Sequence, residues 1–346
     1  FGNPPTSGDD DFFFDLQWGH DAVNAPEAWN AGQRGAGVVV AVLDSGFDTD
    51  HPDLAPQILD AVSFVPGESA VYALPDTFSH GTHTSGTIAA ADNGFGTIGV
   101  APDAKLVLVK VLGDAGSGDF DWAIEGILYA VERGDVDIIN MSLGAVIAKN
   151  GDLNDPDGPY TAREAAELRV AISRATTYAY QHGVTIFASE GNSAIDKDHT
   201  GPIITLPADA DHVISIAATA PWGWVSENWD GSFDHPASYT NFGRSAVDFA
   251  APGGDVAYPG DENCTVAGLT RPCWVFDLVF STGNNGWYWS GGTSMAAPHA
   301  AGVAAIILGE SGGSLTPAQL RTEMQRRASY GGNTPYYGKG VVNTGY

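Results

Sequence analysis

Val38-Val39-Val40-Ala41-Val42-Leu43 is an unbroken apolar run, and it stops at Asp44-Ser45-Gly46. A half-exposed strand alternates apolar and polar residues, so a continuous run reads as a strand covered on both faces. Runs at 106–112, 136–140, 184–188 and 213–217 repeat the pattern. Helical patterns fall at 80–91, 121–133, 161–182, 294–308 and 317–327. Asp121 is placed to cap the second of these, and Thr316-Pro317 to start the last. Strands alternating with helices predict an α/β fold, a three-layer sandwich with a mostly parallel central sheet. Ligands of such sheets sit beyond the carboxyl ends of the strands. Asp44 and Asn192 each lie just past a strand, and 113–118 and 142–144 follow two others. Chemistry and substrate-binding loops are therefore expected along one sheet edge.

The chain has 346 residues, 43% of them hydrophobic, which is enough for a sizeable core. No repeat or long linker divides it, so residues 1–346 read as a single domain with an N-terminal arm at 1–20. Forty-two acidic against 15 basic residues give a formal net charge of −27. Such a surface repels nucleic acid and anionic membranes, and neither is expected as a partner. It suits calcium, cationic substrates or a salty medium without choosing among them. No run of 18 apolar residues occurs, so no membrane span is expected. The opening Phe1-Gly2-Asn3-Pro4-Pro5 lacks the signal-peptide pattern, and the expectation is a secreted chain whose leader has been removed. Cys264 and Cys273 stand nine positions apart in a loop-like stretch. A disulfide is preferred to two free thiols, and two thiols alone make a poor metal site.

Downstream the chain reads Gly291-Gly292-Thr293-Ser294-Met295-Ala296-Ala297-Pro298-His299, and upstream His80-Gly81-Thr82-His83. With Asp44 these supply an acid, an imidazole and a hydroxyl in the order Asp, His, Ser, one of three chain orders known for the same hydrolytic geometry. A serine hydroxyl is a weak nucleophile until a positioned base takes its proton. Ser294 should open a helix, where free backbone N–H groups help hold an oxyanion. Asp44 would hold the tautomer of His80; Asp48, Asp50 and Asp53 are rivals, set aside because Asp44 directly ends the strand. His80 and His83, three apart, also invite a metal, but no H-E-x-x-H pattern or third ligand accompanies them. His83 reads as a buried structural histidine. Gly292-Thr293-Ser294-Met295-Ala296 lacks the G-x-S-x-G elbow of α/β-hydrolases.

These three blocks resemble the subtilase family of serine proteases, near its subtilisin and thermitase branches. The likeness runs from Gln17-Trp18-Gly19 to Tyr336-Tyr337-Gly338-Lys339-Gly340. It implies a triad of Asp44, His80 and Ser294, and Asn192 in Ala188-Ser189-Glu190-Gly191-Asn192 as an oxyanion donor. Ser142, Leu143 and Gly144 match one wall of the specificity pocket, and Gly116, Ser117 and Gly118 the strand opposite. An extended peptide would lie between them as an added strand. Leu112 and Phe120 fall in the outer apolar subsite. Thr205 falls near the base of the first pocket, where apolar side chains are expected. Met295 occupies the family's oxidation-sensitive position. Leu206-Pro207 falls where the family often has a cis peptide.

The resemblance also implies calcium. Asp53 matches the carboxylate ligand, Asn93 a side-chain oxygen, and Ala91, Phe95 and Thr97 backbone carbonyls. Asp10 aligns with the N-terminal-arm ligand of thermitase-like members. Hard oxygen donors from several segments suit Ca²⁺. Insertions near 145–161, 222–237 and 255–288 should be loops, the last two rich in tryptophan. The tryptophans are read as packing those loops rather than gripping a partner. The implied activity is a secreted, calcium-stabilised endopeptidase acting on protein or peptide substrates, matured by loss of a propeptide, and monomeric. A peptide ligase or cyclase of the family, or a binding scaffold, is the alternative.

Overall fold

The computed structural model describes residues 9–74, 77–155, 158–330 and 334–346. Residues 1–8 of the arm and 156–157 of the first insertion lie outside the described residues. Seven helices carry the labels used below: α1 Trp18–Ala22, α2 Ala25–Asn30, α3 His80–Ala89, α4 Phe120–Glu132, α5 Ala162–Gln181, α6 Thr293–Glu310 and α7 Pro317–Arg327.

Among the described residues eight strands form the main sheet. Their order is His235–Pro236, Val213–Ala220, Thr185–Ser189, Ile138–Met141, Val39–Asp44, Lys105–Lys110 and Ile58–Ser63, with Phe249–Pro252 also paired to Val213–Ala220. Every pairing is parallel except the one made by His235–Pro236. The apolar runs are continuous because both faces are covered, and successive side chains go to opposite sides. Val40, Val42, Leu106 and Leu108 join a core with α3, α6 and α7. Ala41, Leu43, Val107 and Val109 join a second core with α4 and α5. Helices, sheet and helices make three layers, as expected.

Element ends differ by small amounts, for identifiable reasons. The run at 106–112 stops being a strand at Lys110 because the N–H groups of Val111 and Leu112 both turn back to the Asp44 carbonyl, at 2.9 and 3.2 Å. Thr161 and Thr316 start α5 and α7 with reciprocal caps to Glu164 and Gln319. Asp121 does not cap α4. That helix starts at Phe120, Asp119 holds the cap position without a side-chain bond, and Asp121 falls in the first turn, where its charge favours the helix dipole.

The insertions are not simple loops. Ala145–Ala148 pairs with Ile203–Leu206, and Gly151–Asp152 with Tyr160–Thr161. In the third insertion Asn263–Val266 pairs with Leu269–Pro272, and Val279–Gly283 with Gly286–Ser290. Cys264 and Cys273 form a disulfide across the first of these hairpins. The second projects Phe280, Trp287 and Trp289 into a third core with Trp18, Trp224 and Met295. Most of the tryptophans thus pack their own insertions; Trp222 remains 43% exposed. Leu206-Pro207 is cis.

Candidate active site

Asp44 ends its strand fully buried, and both its oxygens are occupied. Oδ1 accepts from the Ser45 N–H at 2.7 Å, and His80 Nδ1 donates to Oδ1 and Oδ2 at 2.8 and 3.0 Å. Thr84 Oγ1 adds a bond to Oδ2 at 3.2 Å. His80 opens α3, whose first turn is capped by Ser79. The helix can approach the turn at Gly46 and the strand Val279–Gly283 because Gly81 and Gly86 carry no side chain. A Cβ at Gly81 would stand 2.6 Å from the Gly46 carbonyl, and one at Gly86 2.0 Å from Thr282 Oγ1. Burial pushes the His80 imidazole down, but the charge and hydrogen bond of Asp44 outweigh it, and the net shift is upward from the ordinary value. His83 is fully buried, with Nε2 3.0 Å from the Tyr288 carbonyl. Burial drives it down to about 3, so it stays neutral and packs against the hairpin.

Ser294 lies in the first turn of α6 and shares a cleft with His80. Its Oγ donates to the Ser142 carbonyl at 3.2 Å, and no hydrogen bond joins it to His80. In return Ser142 Oγ donates to the Ser294 carbonyl at 2.8 Å. That carbonyl is free because Pro298, four residues on, has no N–H to complete the helical bond. Turning about one side-chain torsion releases the Ser294 hydroxyl from this carbonyl. Catalytic hydrogen bonds commonly tighten only when substrate arrives.

Asn192 is oriented by α6 itself. Its Oδ1 accepts from Thr293 N–H and Oγ1 at 2.9 and 2.8 Å, which commits the amide nitrogen to the other side. A Cβ placed on Gly292 would lie 3.4 Å from Asn192 Nδ2 and 3.6 Å from the Ser294 nitrogen. Two N–H donors thus flank one small space beside the hydroxyl.

The cleft measures about 630 Å³. Leu112, Gly116, Ser117, Gly118, Phe120, Ser142, Leu143, Gly144 and Thr205 all line it, as the sequence predicts. Residues 116–118 form no regular strand. Asp119, Ala145, Val146 and Ser193 were not expected and also line it. Lys110, wholly buried, was missed as well. It ties the Ser45 carbonyl to Glu68 and Asp114, joining the turn after Asp44 to the 113–118 loop. Met295 is 1% exposed.

The expected cation loop is divided. Asp53 is fully buried; its Oδ2 accepts from Thr97 N–H at 2.9 Å and Trp287 Nε1 at 2.8 Å, while Oδ1 has no donor. Burial raises its carboxyl from the ordinary value. Ala91 N–H bonds the Asp53 carbonyl at 2.7 Å. Asp10 groups with Asp9, Asp11 and Asp92, one oxygen of each lying within 4.8 Å of the others. Asp11 Oδ1 is the acceptor for the N–H groups of Asn93 and Phe95, at 3.4 and 3.0 Å, while the Asp10 carboxylate lies against Gly94 of the same loop. Asp11 Oδ2 is buried without a donor. Burial, then neighbouring Asp9, pushes Asp11 up to about 8.

The sequence profile described as Subtilase family matches residues 35–341. Subtilisin NAT of Bacillus subtilis subsp. natto is 36% identical over 328 residues, covering 95% of this chain and 70% of that protein. An intracellular serine protease of Paenibacillus polymyxa is 34% identical over 326 residues, covering 92% of this chain and 81% of that protein. Among solved structures, a lanthipeptide protease aligns with a TM-score of 0.75 at 27% identity, over 96% of this chain and 94% of that one. No helix among the described residues is long and apolar enough to cross a membrane.

Proposed function

The chain belongs to the subtilase family and is a serine endopeptidase, and we propose that Asp44, His80 and Ser294 are its catalytic triad. Ser294 attacks the scissile carbonyl while His80 takes its proton; His80 then returns that proton to the leaving amine. Asp44 holds the imidazole with Nε2 facing the cleft and stabilises the imidazolium. Asn192 Nδ2 and the Ser294 N–H receive the developing oxyanion. Water repeats the cycle in reverse on the acyl-enzyme. The observation that carries this reading is the 2.8 Å Asp44–His80 bond at the mouth of a cleft that also holds Ser294 and Asn192. Extended protein or peptide segments lie between 116–118 and 142–144, held by backbone groups.

A structural calcium is supported by the donor set. Asp53 Oδ1 and Asp11 Oδ2 are buried carboxylate oxygens lacking any hydrogen bond, an arrangement that a hard divalent cation relieves. Asp53, Asn93 and the carbonyls of Ala91, Phe95 and Thr97 would hold it; the chemistry it supplies is charge neutralisation. We read residues 1–346 as one secreted catalytic unit, monomeric and matured from a longer precursor. The disulfide supports an oxidising compartment.

Digestion of a mixed proteome with and without a serine-reactive inhibitor tests the activity. Broad fragmentation that the inhibitor abolishes is expected; fragmentation that persists in inhibitor contradicts the serine mechanism.

A further inference from the structure

Beneath the floor of the cleft lies an ammonium group. Lys197 has a side chain only 4% exposed. Its Nζ donates to Glu190 Oε1 at 2.6 Å, to Thr205 Oγ1 at 3.1 Å and to Asp209 Oδ2. Those three acceptors use every proton of the ammonium. Thr205 lines the cleft, and its N–H in turn donates to Asp209 Oδ2 at 2.7 Å. The Thr205 methyl lies 3.9 Å from where a Cβ on cleft-lining Gly191 would stand. The hydroxyl is therefore held from behind while the methyl meets the Gly191 wall. Glu190 is fully buried, and its second carboxylate oxygen has no partner. Burial, only partly offset by Lys197, raises it to about 8.

Two carboxyl groups and one ammonium thus sit directly behind a floor one residue thick. Without the ammonium, the floor would face uncompensated negative charge at a buried site, where an opposite charge gains most. We propose that Lys197 sets specificity by neutralising Asp209 behind Thr205, beside an uncharged Glu190, so that the pocket admits an apolar side chain before the cut bond and rejects a basic one. Lys197 never touches the substrate; it is a positioning residue that acts through Thr205 and through charge. The inference rests on the endopeptidase reading and adds what this chain selects.

The test compares two peptides identical except for Leu or Arg before the cut bond. Loss of Leu-peptide hydrolysis in Ser294→Ala checks the underlying reading separately. Wild-type enzyme should favour the Leu peptide in kcat/KM; a wild-type preference for Arg overturns the inference outright. Lys197→Met should raise the Arg-to-Leu ratio at least tenfold, chiefly through a lower KM for the Arg peptide, and an unchanged ratio overturns it. Lys197→Met leaves buried Glu190 without its ammonium partner, so a second variant guards against misfolding. Glu190→Gln with Lys197→Met replaces the uncharged Glu190 by its neutral isostere, removes the ammonium and leaves the Asp209 charge on the Thr205 N–H. It should raise the ratio at least threefold; no rise overturns the inference. Adding Asp209→Asn should return the ratio to the wild-type value. A merely structural lysine would lower both activities together and leave the ratio where it was.

Discussion

Asp44 and Asp53 stand nine positions apart, and both are fully buried, yet their surroundings are opposite. Asp44 has partners on both oxygens: Ser45, Thr84 and the His80 imidazole. Asp53 has donors on Oδ2 alone, and Oδ1 faces none. Burying a charge without compensation costs several kcal/mol, so equal burial with unequal partnering implies unequal roles. Asp44 is complete within the protein, and its partner is a base that must pick up and release a proton. Asp53 is incomplete within the protein, a need that the proposed calcium would satisfy.

Substitution should separate the two. Asp44→Asn is expected to lower kcat by about 10⁴, through loss of the correct tautomer and of imidazolium stabilisation. Asp53→Asn should change kcat by less than about threefold in calcium, since it lies outside the chemistry. Equal kinetic losses from both would break the distinction. Asn192→Leu tests the oxyanion donor and should cost roughly 10²–10³ in kcat with KM little altered, the size found for this donor in subtilisin. A loss confined to KM would assign Asn192 to binding instead.

The pH profile sharpens the Asp44 side. Only neutral His80 can act as base, and Asp44 raises its pKa in the folded protein. Activity should be complete at high pH and fall as pH drops through a value above the ordinary ~6.5 of histidine, about tenfold per unit below it. The limb should move downward in Asp44→Asn. A limb below the ordinary value in the wild type would contradict the pairing. The smallest effect belongs to the Asp53 side. Chelation should lower the thermal midpoint by about 4 °C when calcium had been present at about a hundredfold its Kd. Asp53→Asn should already show the lower midpoint and respond little to chelator. A wild-type midpoint indifferent to full demetallation would remove calcium from the account.

The layers were readable because Val38–Leu43 carries no polar residue and its companion runs few, the pattern of strands covered on both faces. The proposed triad can be picked out in the sequence because Asp44 ends such a strand and Ser294 sits among small residues that open a helix. What escaped the reading depends on partners far apart in sequence. Thr84 supports Asp44 from 40 positions away, and Ser142 engages Ser294 across 152. Lys110 and Lys197 look like ordinary surface lysines until the fold closes acids around them. The hairpins at 263–272 and 279–290 read as loops in the sequence because their strands are short. Which of Asp9, Asp10 and Asp11 takes the loop N–H groups is a matter of register. Three consecutive aspartates give no pattern to fix it, and Asp11 takes those of Asn93 and Phe95.

The central claim is that His80 makes the Ser294 hydroxyl a nucleophile. Reaction with a fluorophosphonate, followed by peptide mass spectrometry, tests it most directly. The account predicts one adduct per chain, on Ser294, formed rapidly by the wild type and at least a thousandfold more slowly by His80→Ala. An adduct on another residue, or equal labelling of Ser294 in both proteins, would contradict it.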